Sequence, residues 1–295
     1  MLKQTILLVL LFTMTACSND ARETNADQPD KASHGIATTE DGVEIHYRLL
    51  GPSDAPTVWV GYPWTPGWND IMAQLGTATS QPTKELLAAL SAKYQVIHVD
   101  YPRGTGASTG PLPRDLTPET VAADYIAVAD AAGVDRFVAF GFSWSAGFGI
   151  HAASRTKRIA GLVIGGWPVI DAPHEQIVEM SRATVAALPT GTAKTVLGSN
   201  VNYYQSIIDD EWDADAALEY MSDRAGLLYM FVGSEDVGVP ALGVTLPVAD
   251  PIIEHKATLE AHGWQVHIID GYDHMNLTIS AWLPQAMAFL EGKRW

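Results

Sequence analysis

Phe137-Val138-Ala139-Phe140-Gly141-Phe142-Ser143-Trp144-Ser145-Ala146-Gly147 is the stretch on which the reading of this chain turns. An apolar run enters a glycine, reaches a serine, and leaves through small residues. Apolar residues in unbroken succession, closed by a turn signal, read as a strand buried on both faces. Gly141 and Ser145 flank Ser143 in the pattern small-x-Ser-x-small. A tight passage from strand to helix at that point lifts the serine hydroxyl above the sheet edge. The flanking residues must be small because two backbones nearly touch there. Ser143 would also lie at a helix N-terminus, where negative charge is stabilised. A second register, with Ser145 raised and Gly147 after it, fits the same pattern. The turn directly after Gly141 favours Ser143. Taken alone, a serine-rich helix cap with no chemistry would look the same.

Outward from this stretch, apolar strands alternate with helical segments. Strands are expected at residues 57–61, 95–99, 136–141, 159–165, 227–232 and 265–269. Helices are expected at 83–93, with Leu86, Leu87 and Leu90 on one face, and from Thr117-Pro118-Glu119-Thr120 to Ala132, closed by Gly133. Thr117 is the N-cap of the latter and Pro118 its first residue. Asp41-Gly42 marks a hairpin turn between Ile36-Ala37-Thr38 and an alternating run that ends at Leu50. Strand–helix alternation predicts an α/β fold with a doubly wound, mostly parallel sheet and right-handed crossovers. The rhythm breaks between Trp167 and Arg224. That stretch holds helical segments (174–188, 214–221) and no good strand, so it reads as a helical cap, 167–224, inserted over one end of the sheet.

Composition narrows the class. The chain has 295 residues, 47% of them hydrophobic and 18% charged. That supports a packed core and excludes a disordered chain. Lys plus Arg number 18 against 34 for Asp plus Glu, a net charge of −16. Such a surface repels phosphate backbones, so nucleic acid is not expected as a partner. A single Cys excludes an internal disulfide and a multi-cysteine zinc site. Gly104-Thr105-Gly106 lacks the spacing and the lysine of a phosphate loop. No metal or cofactor is expected.

The elbow sequence resembles that of the α/β-hydrolase family, with Ser145 where a second Gly is usual. Four further stretches, in the family's order, carry the resemblance. Val60-Gly61-Tyr62-Pro63-Trp64 is similar to the loop after an early strand, with Val60 where the family usually has His. Asp100-Tyr101-Pro102-Arg103-Gly104-Thr105-Gly106-Ala107-Ser108 is similar to a structural turn. Gly233-Ser234-Glu235-Asp236 looks like the acid turn, and Asp270-Gly271-Tyr272-Asp273-His274-Met275 the base loop. The resemblance, spanning roughly 35–289, implies an acyl-transfer enzyme. Ser143 would be its nucleophile, His274 the general base and Asp236 the orienting acid, with backbone N–H groups of Tyr62 and Trp144 as the oxyanion hole. Glu235 and Asp171 are alternative acids. His98 and His267 fall inside strands and are expected to be packed or paired.

A small-molecule carboxylic ester is the expected substrate, in a pocket walled by Trp64, Trp68 and Trp167, although aromatics near a cap also serve as plain packing. Rival readings use the same triad on other bonds. An aminopeptidase resembling proline iminopeptidases would need acids near the pocket, for which Glu175, Glu179, Asp209, Asp210 and Glu211 are candidates. A lactonase or carbon–carbon bond hydrolase is another. A catalytically silent binding lipoprotein comes from a different class.

The N-terminus points to the cell envelope. Lys3 precedes an apolar run from Ile6 to Phe12, too short to span a bilayer, and Met14-Thr15-Ala16-Cys17 resembles a bacterial lipobox. Residues 1–16 are expected to be a signal peptide, Cys17 the lipidated first residue, 17–34 a tether, and 35–295 the folded domain. Ser18 after the Cys implies the outer membrane of a Gram-negative cell.

Overall fold

A computed structural model describes residues 33–74, 83–110, 116–238 and 245–295. The signal peptide, Cys17 and nearly all of the tether lie outside the described residues. The first strand, β1 (Ser33–Thr38), pairs antiparallel with β2 (Glu44–Leu50), so regular structure begins two residues before Gly35. The hairpin turns at Gly42, which takes φ 82°. Six further strands follow: β3 (Thr57–Val60), β4 (Gln95–Val99), β5 (Phe137–Phe142), β6 (Ile159–Gly165), β7 (Leu228–Gly233) and β8 (Trp264–Ile269). The sheet order is β1-β2-β4-β3-β5-β6-β7-β8, with β2 antiparallel to β4 and every later pair parallel. The expected mostly parallel sheet with an N-terminal hairpin is present.

The strands are apolar on successive residues because helices cover both faces. Along β5, Phe137 and Ala139 enter one core while Val138, Phe140 and Phe142 enter the other. The first core is closed by α3 (Pro118–Ala131) and α4 (Trp144–Ala153). Here Trp59 of β3 stacks on Tyr125 of α3, ring centroids 4.1 Å apart. The second core is closed by α2 (Thr83–Ser91) and α10 (Ile279–Leu290), with Phe231 stacked on Trp282 at 4.3 Å. Burying a large apolar side chain contributes roughly 1.5–3 kcal/mol, so these two layers dominate the folding energy. The Thr117 hydroxyl accepts a hydrogen bond from the Thr120 N–H, as the N-cap reading requires.

Between β6 and β7 the chain is helical: α5 (His174–Ala187), α6 (Thr192–Asp209) and α7 (Ala214–Met221). This insertion sits on α4. The Tyr203 ring meets Phe148 edge-on at 4.6 Å, and its hydroxyl lies 2.7 Å from His151 Nδ1.

Candidate active site

Strand β5 passes into helix α4 through one residue, Ser143, at φ 57° and ψ −120°. A non-glycine residue there is strained, and its neighbours hold it in place. The Ser143 N–H donates to the Gly165 carbonyl at 2.8 Å, and its own carbonyl receives the Ala146 N–H at 3.0 Å. Ser143 is partly exposed while Phe142 and Trp144 on either side are buried. The spacing argument about small residues acquires dimensions at Gly141. A Cβ there would lie 2.6 Å from the Ser145 carbonyl oxygen and 2.8 Å from the Ala146 nitrogen, so only glycine fits.

The acid and base follow β7 and β8, two strands adjacent to each other on the β6 side of β5. Asp236 follows β7 and is 1% exposed; His274 follows β8 and is 6% exposed. The His274 Nδ1 lies 2.9 Å from each carboxylate oxygen of Asp236. A carboxylate only accepts, so Nδ1 carries a proton and leaves Nε2 as the nitrogen that can take one in the neutral ring. The Gly238 N–H donates to Asp236 Oδ1 at 2.8 Å and orients the carboxylate. The imidazole packs against Phe142, the residue before Ser143, with ring centroids 4.8 Å apart. Its Cε1 would lie 3.0 Å from a Cβ on Gly166, directly after the carbonyl that holds the Ser143 N–H. The paired Asp236 and His274 thus stand at the same end of the sheet as Ser143, with the imidazole against the residue next to it.

The loop after β3 closes the site. Ser145 Oγ donates to the Tyr62 carbonyl at 2.6 Å and accepts the Phe142 N–H at 2.9 Å. His98 Nε2 bonds the Trp64 carbonyl at 2.7 Å, and its Nδ1 faces the Arg48 guanidinium at 2.6 Å. Because Arg48 donates to Nδ1, Nε2 carries the proton and donates to Trp64. Burial brings the His98 pKa down to about 4, so the ring is neutral. These two braces stand where Val60 replaces the usual histidine. Neither was legible in the sequence, since both join residues far apart along the chain. The Tyr62 side chain was also missed. Burial pushes its phenol up, and the nearby Ser143 hydroxyl offsets part of that shift.

No family model matches the chain. Over 89 residues it is 37% identical to a protein of Klebsiella pneumoniae (strain 342) bearing the name carbamate hydrolase RutD. That match takes in 30% of this chain and 33% of the relative, so the chain spans about a third of the length of that relative. Among solved structures, an α/β hydrolase from Novosphingobium aromaticivorans DSM 12444 superposes at TM-score 0.54 with 15% identity, covering 88% of this chain and 96% of the other. The carboxylesterase CesB of Bacillus subtilis does so at 0.52 with 14% identity, covering 90% and 94%. The chain has the α/β-hydrolase fold.

Within this α/β-hydrolase fold the alternatives fall away from the site. Ser145 is 4% exposed inside α4, and its hydroxyl is fully engaged. Glu235 is exposed. Asp171 is exposed and paired with His255 at 2.7 Å. Among the tryptophans, Trp68 and Trp144 form an aromatic group with Tyr62 beside the elbow, at centroid separations of 4.2 to 5.8 Å. Trp167 follows β6 and touches the cap. Trp64 is a correction: it is 0% exposed and packs on Trp282 in the second core, so it is structural filling rather than a pocket wall. Glu175, Glu179, Asp209, Asp210 and Glu211 all point to solvent. His267 pairs with the Tyr229 hydroxyl at 2.9 Å, as expected of a strand histidine.

Proposed function

We propose that the chain is a serine hydrolase that cleaves carboxylic esters through an acyl-enzyme. The observation that carries this reading is the strained, partly exposed Ser143 beside the buried Asp236–His274 pair. Ser143 Oγ attacks the ester carbonyl while His274 Nε2 takes its proton. Asp236, bonded to Nδ1, stabilises the imidazolium that forms. Negative charge moves to the former carbonyl oxygen, which the N–H groups of Tyr62 and Trp144 receive at the N-terminus of α4. Collapse expels the alcohol with the proton from His274. Water then repeats the sequence and frees the acid. The exposed cap acids speak against an aminopeptidase, because an amine-binding carboxylate would have to face the pocket. Relatives with carbamate hydrolase and carboxylesterase names agree with acyl chemistry.

The test is covalent labelling with a fluorophosphonate. The wild-type chain should label, Ser143→Ala should not, and Ser145→Ala should still do so. Labelling that survives in Ser143→Ala but disappears in Ser145→Ala would move the nucleophile to the other register.

We also propose that Cys17 is lipidated and tethers the domain to the cell envelope, and that Ser18 after the Cys directs it to the outer membrane. The support is the Lys3 start, the short apolar run and the only Cys at the expected place. Each buried acyl methylene contributes about 0.8 kcal/mol, so several chains hold a domain on a bilayer. Among the described residues, no helix is long and apolar enough to cross a membrane. Radiolabelled palmitate should enter the wild-type chain in bacteria and not Cys17→Ser, with the protein leaving the membrane fraction.

A further inference from the structure

Under the cap, three aromatic side chains face one another beside the second turn of α4. The centroid separations are 5.1 Å for Trp167 and Tyr204, 5.8 Å for His174 and Tyr204, and 6.0 Å for Trp167 and His174. Their exposures are 2%, 0% and 8% for Trp167, Tyr204 and His174. Each ends in a polar atom, and none of Trp167 Nε1, Tyr204 Oη and His174 Nε2 has a hydrogen-bond partner among the described residues. A buried donor left unpaired costs about 1–3 kcal/mol, so three in one cluster call for a function.

Two of the three tips converge on Gly147. A Cβ at that position would lie 3.0 Å from Tyr204 Oη and 3.3 Å from Trp167 Nε1. The Gly147 N–H itself donates to the Ser143 carbonyl, one helical turn away. The cluster therefore lies one helical turn from the proposed nucleophile. The electrostatics agree: burial, with help from the neighbouring Tyr62 phenol, raises Tyr204 well above the usual tyrosine range. Burial also lowers His174 to about 4, so all three groups are neutral near pH 7.

We propose that Trp167, Tyr204 and His174 form a subsite for an uncharged oxygen substituent on the acyl arm of the substrate. This rests on Ser143 being the nucleophile. Trp167 can only donate and Tyr204 has a free O–H, so the group they receive must accept: an ether, carbonyl or hydroxyl oxygen. A carboxylate or ammonium is disfavoured, since a charge buried there would find no counter-ion within the cluster. The leaving alcohol must escape to solvent, whereas this cluster is enclosed beneath the cap. It is therefore the retained acyl arm that reaches it. A site built to hydrogen-bond an oxygen discriminates strongly against the analogue that lacks one.

The experiment compares two fluorophosphonates of equal length, one carrying a propyl group on phosphorus and one a methoxymethyl group. Labelling rates at Ser143 of the full chain are each divided by the probe's rate with hydroxide. The wild type should favour the methoxymethyl probe by about tenfold or more. Tyr204→Phe and Trp167→Phe should each bring that ratio down several-fold toward parity. The ratio is the readout, so a packing defect that slows both probes alike would not count as support. Equal wild-type rates, or a ratio untouched by both substitutions, would overturn the subsite and leave the nucleophile standing. No labelling of Ser143 by either probe would overturn both.

Discussion

At Ser145 a departure from the usual small residue becomes a working part. Glycine would satisfy the close crossing over Gly141, but only a hydroxyl can also hold the Tyr62 carbonyl. That bond ties the helix bearing one proposed oxyanion donor to the loop bearing the other. Removing it should loosen the donors rather than the nucleophile. Ser145→Ala is expected to keep its labelling but lose about tenfold in kcat with KM little changed, because small misplacements of positioned groups are costly to rate. Asp236→Asn should be worse, at about 10³–10⁴-fold in kcat, since an amide can force the wrong imidazole tautomer. Steady-state kinetics on an aryl ester check both. The positions of the proposed triad could be named from the sequence because each follows a strand and they fall in the order that the α/β-hydrolase resemblance implies. Their braces were not, because a hydrogen bond between Ser145 and Tyr62, or between His98 and Trp64, leaves no local pattern.

Among the elements, the strands were the easiest to read. Being covered on both faces, β5, β6 and β7 are apolar throughout, and a run of that kind bounded by turns has few other meanings. Helix α6 was missed for the opposite reason. Its buried stripe runs through Ala193, Val196, Leu197, Asn200, Tyr203, Tyr204 and Ile207, but Gly198, Ser199 and Asn200 interrupt the apolar signal. Helix α3 and the N-terminal hairpin are joined by a link of the same long-range kind. Arg103, 2% exposed, gives Nε and Nη2 to the two carboxylate oxygens of Asp124 at 2.8 and 2.6 Å, and Nη1 to Asp41 in the hairpin turn at 2.5 Å. The turn that contains Arg103 thus acts as a clamp between elements. Arg103→Met leaves Asp124 buried without its counter-charge and should destabilise the fold by about 3–5 kcal/mol in urea titration. Arg103→Met combined with Asp124→Leu should recover part of that loss, because the stranded carboxylate is gone.

For the molecule as a whole, the acidic composition says little about acid stability; buried imidazoles decide it. His98 and His174 are brought down to about 4 by burial, and His151 is held well below the ordinary histidine range by burial first and then by His174 and Arg155. An unfolded chain would protonate all three near pH 6.5. Between pH 6.5 and 4 the unfolded state therefore binds protons that the folded state refuses, and stability falls as the pH drops. Each group with a shift of that size contributes on the order of 3 kcal/mol over the window. Carboxylates held down by partners, such as Asp41 beside Arg103, add to the loss at lower pH. The melting temperature is thus expected to hold between pH 7 and 8 and to fall steeply from pH 6 to 4.5. His174→Gln should flatten part of that descent, because glutamine has no proton to take up. A melting curve with the same slope in the variant would mean that His174 is already charged in the native state, and the cap would then have to contain a counter-ion for it.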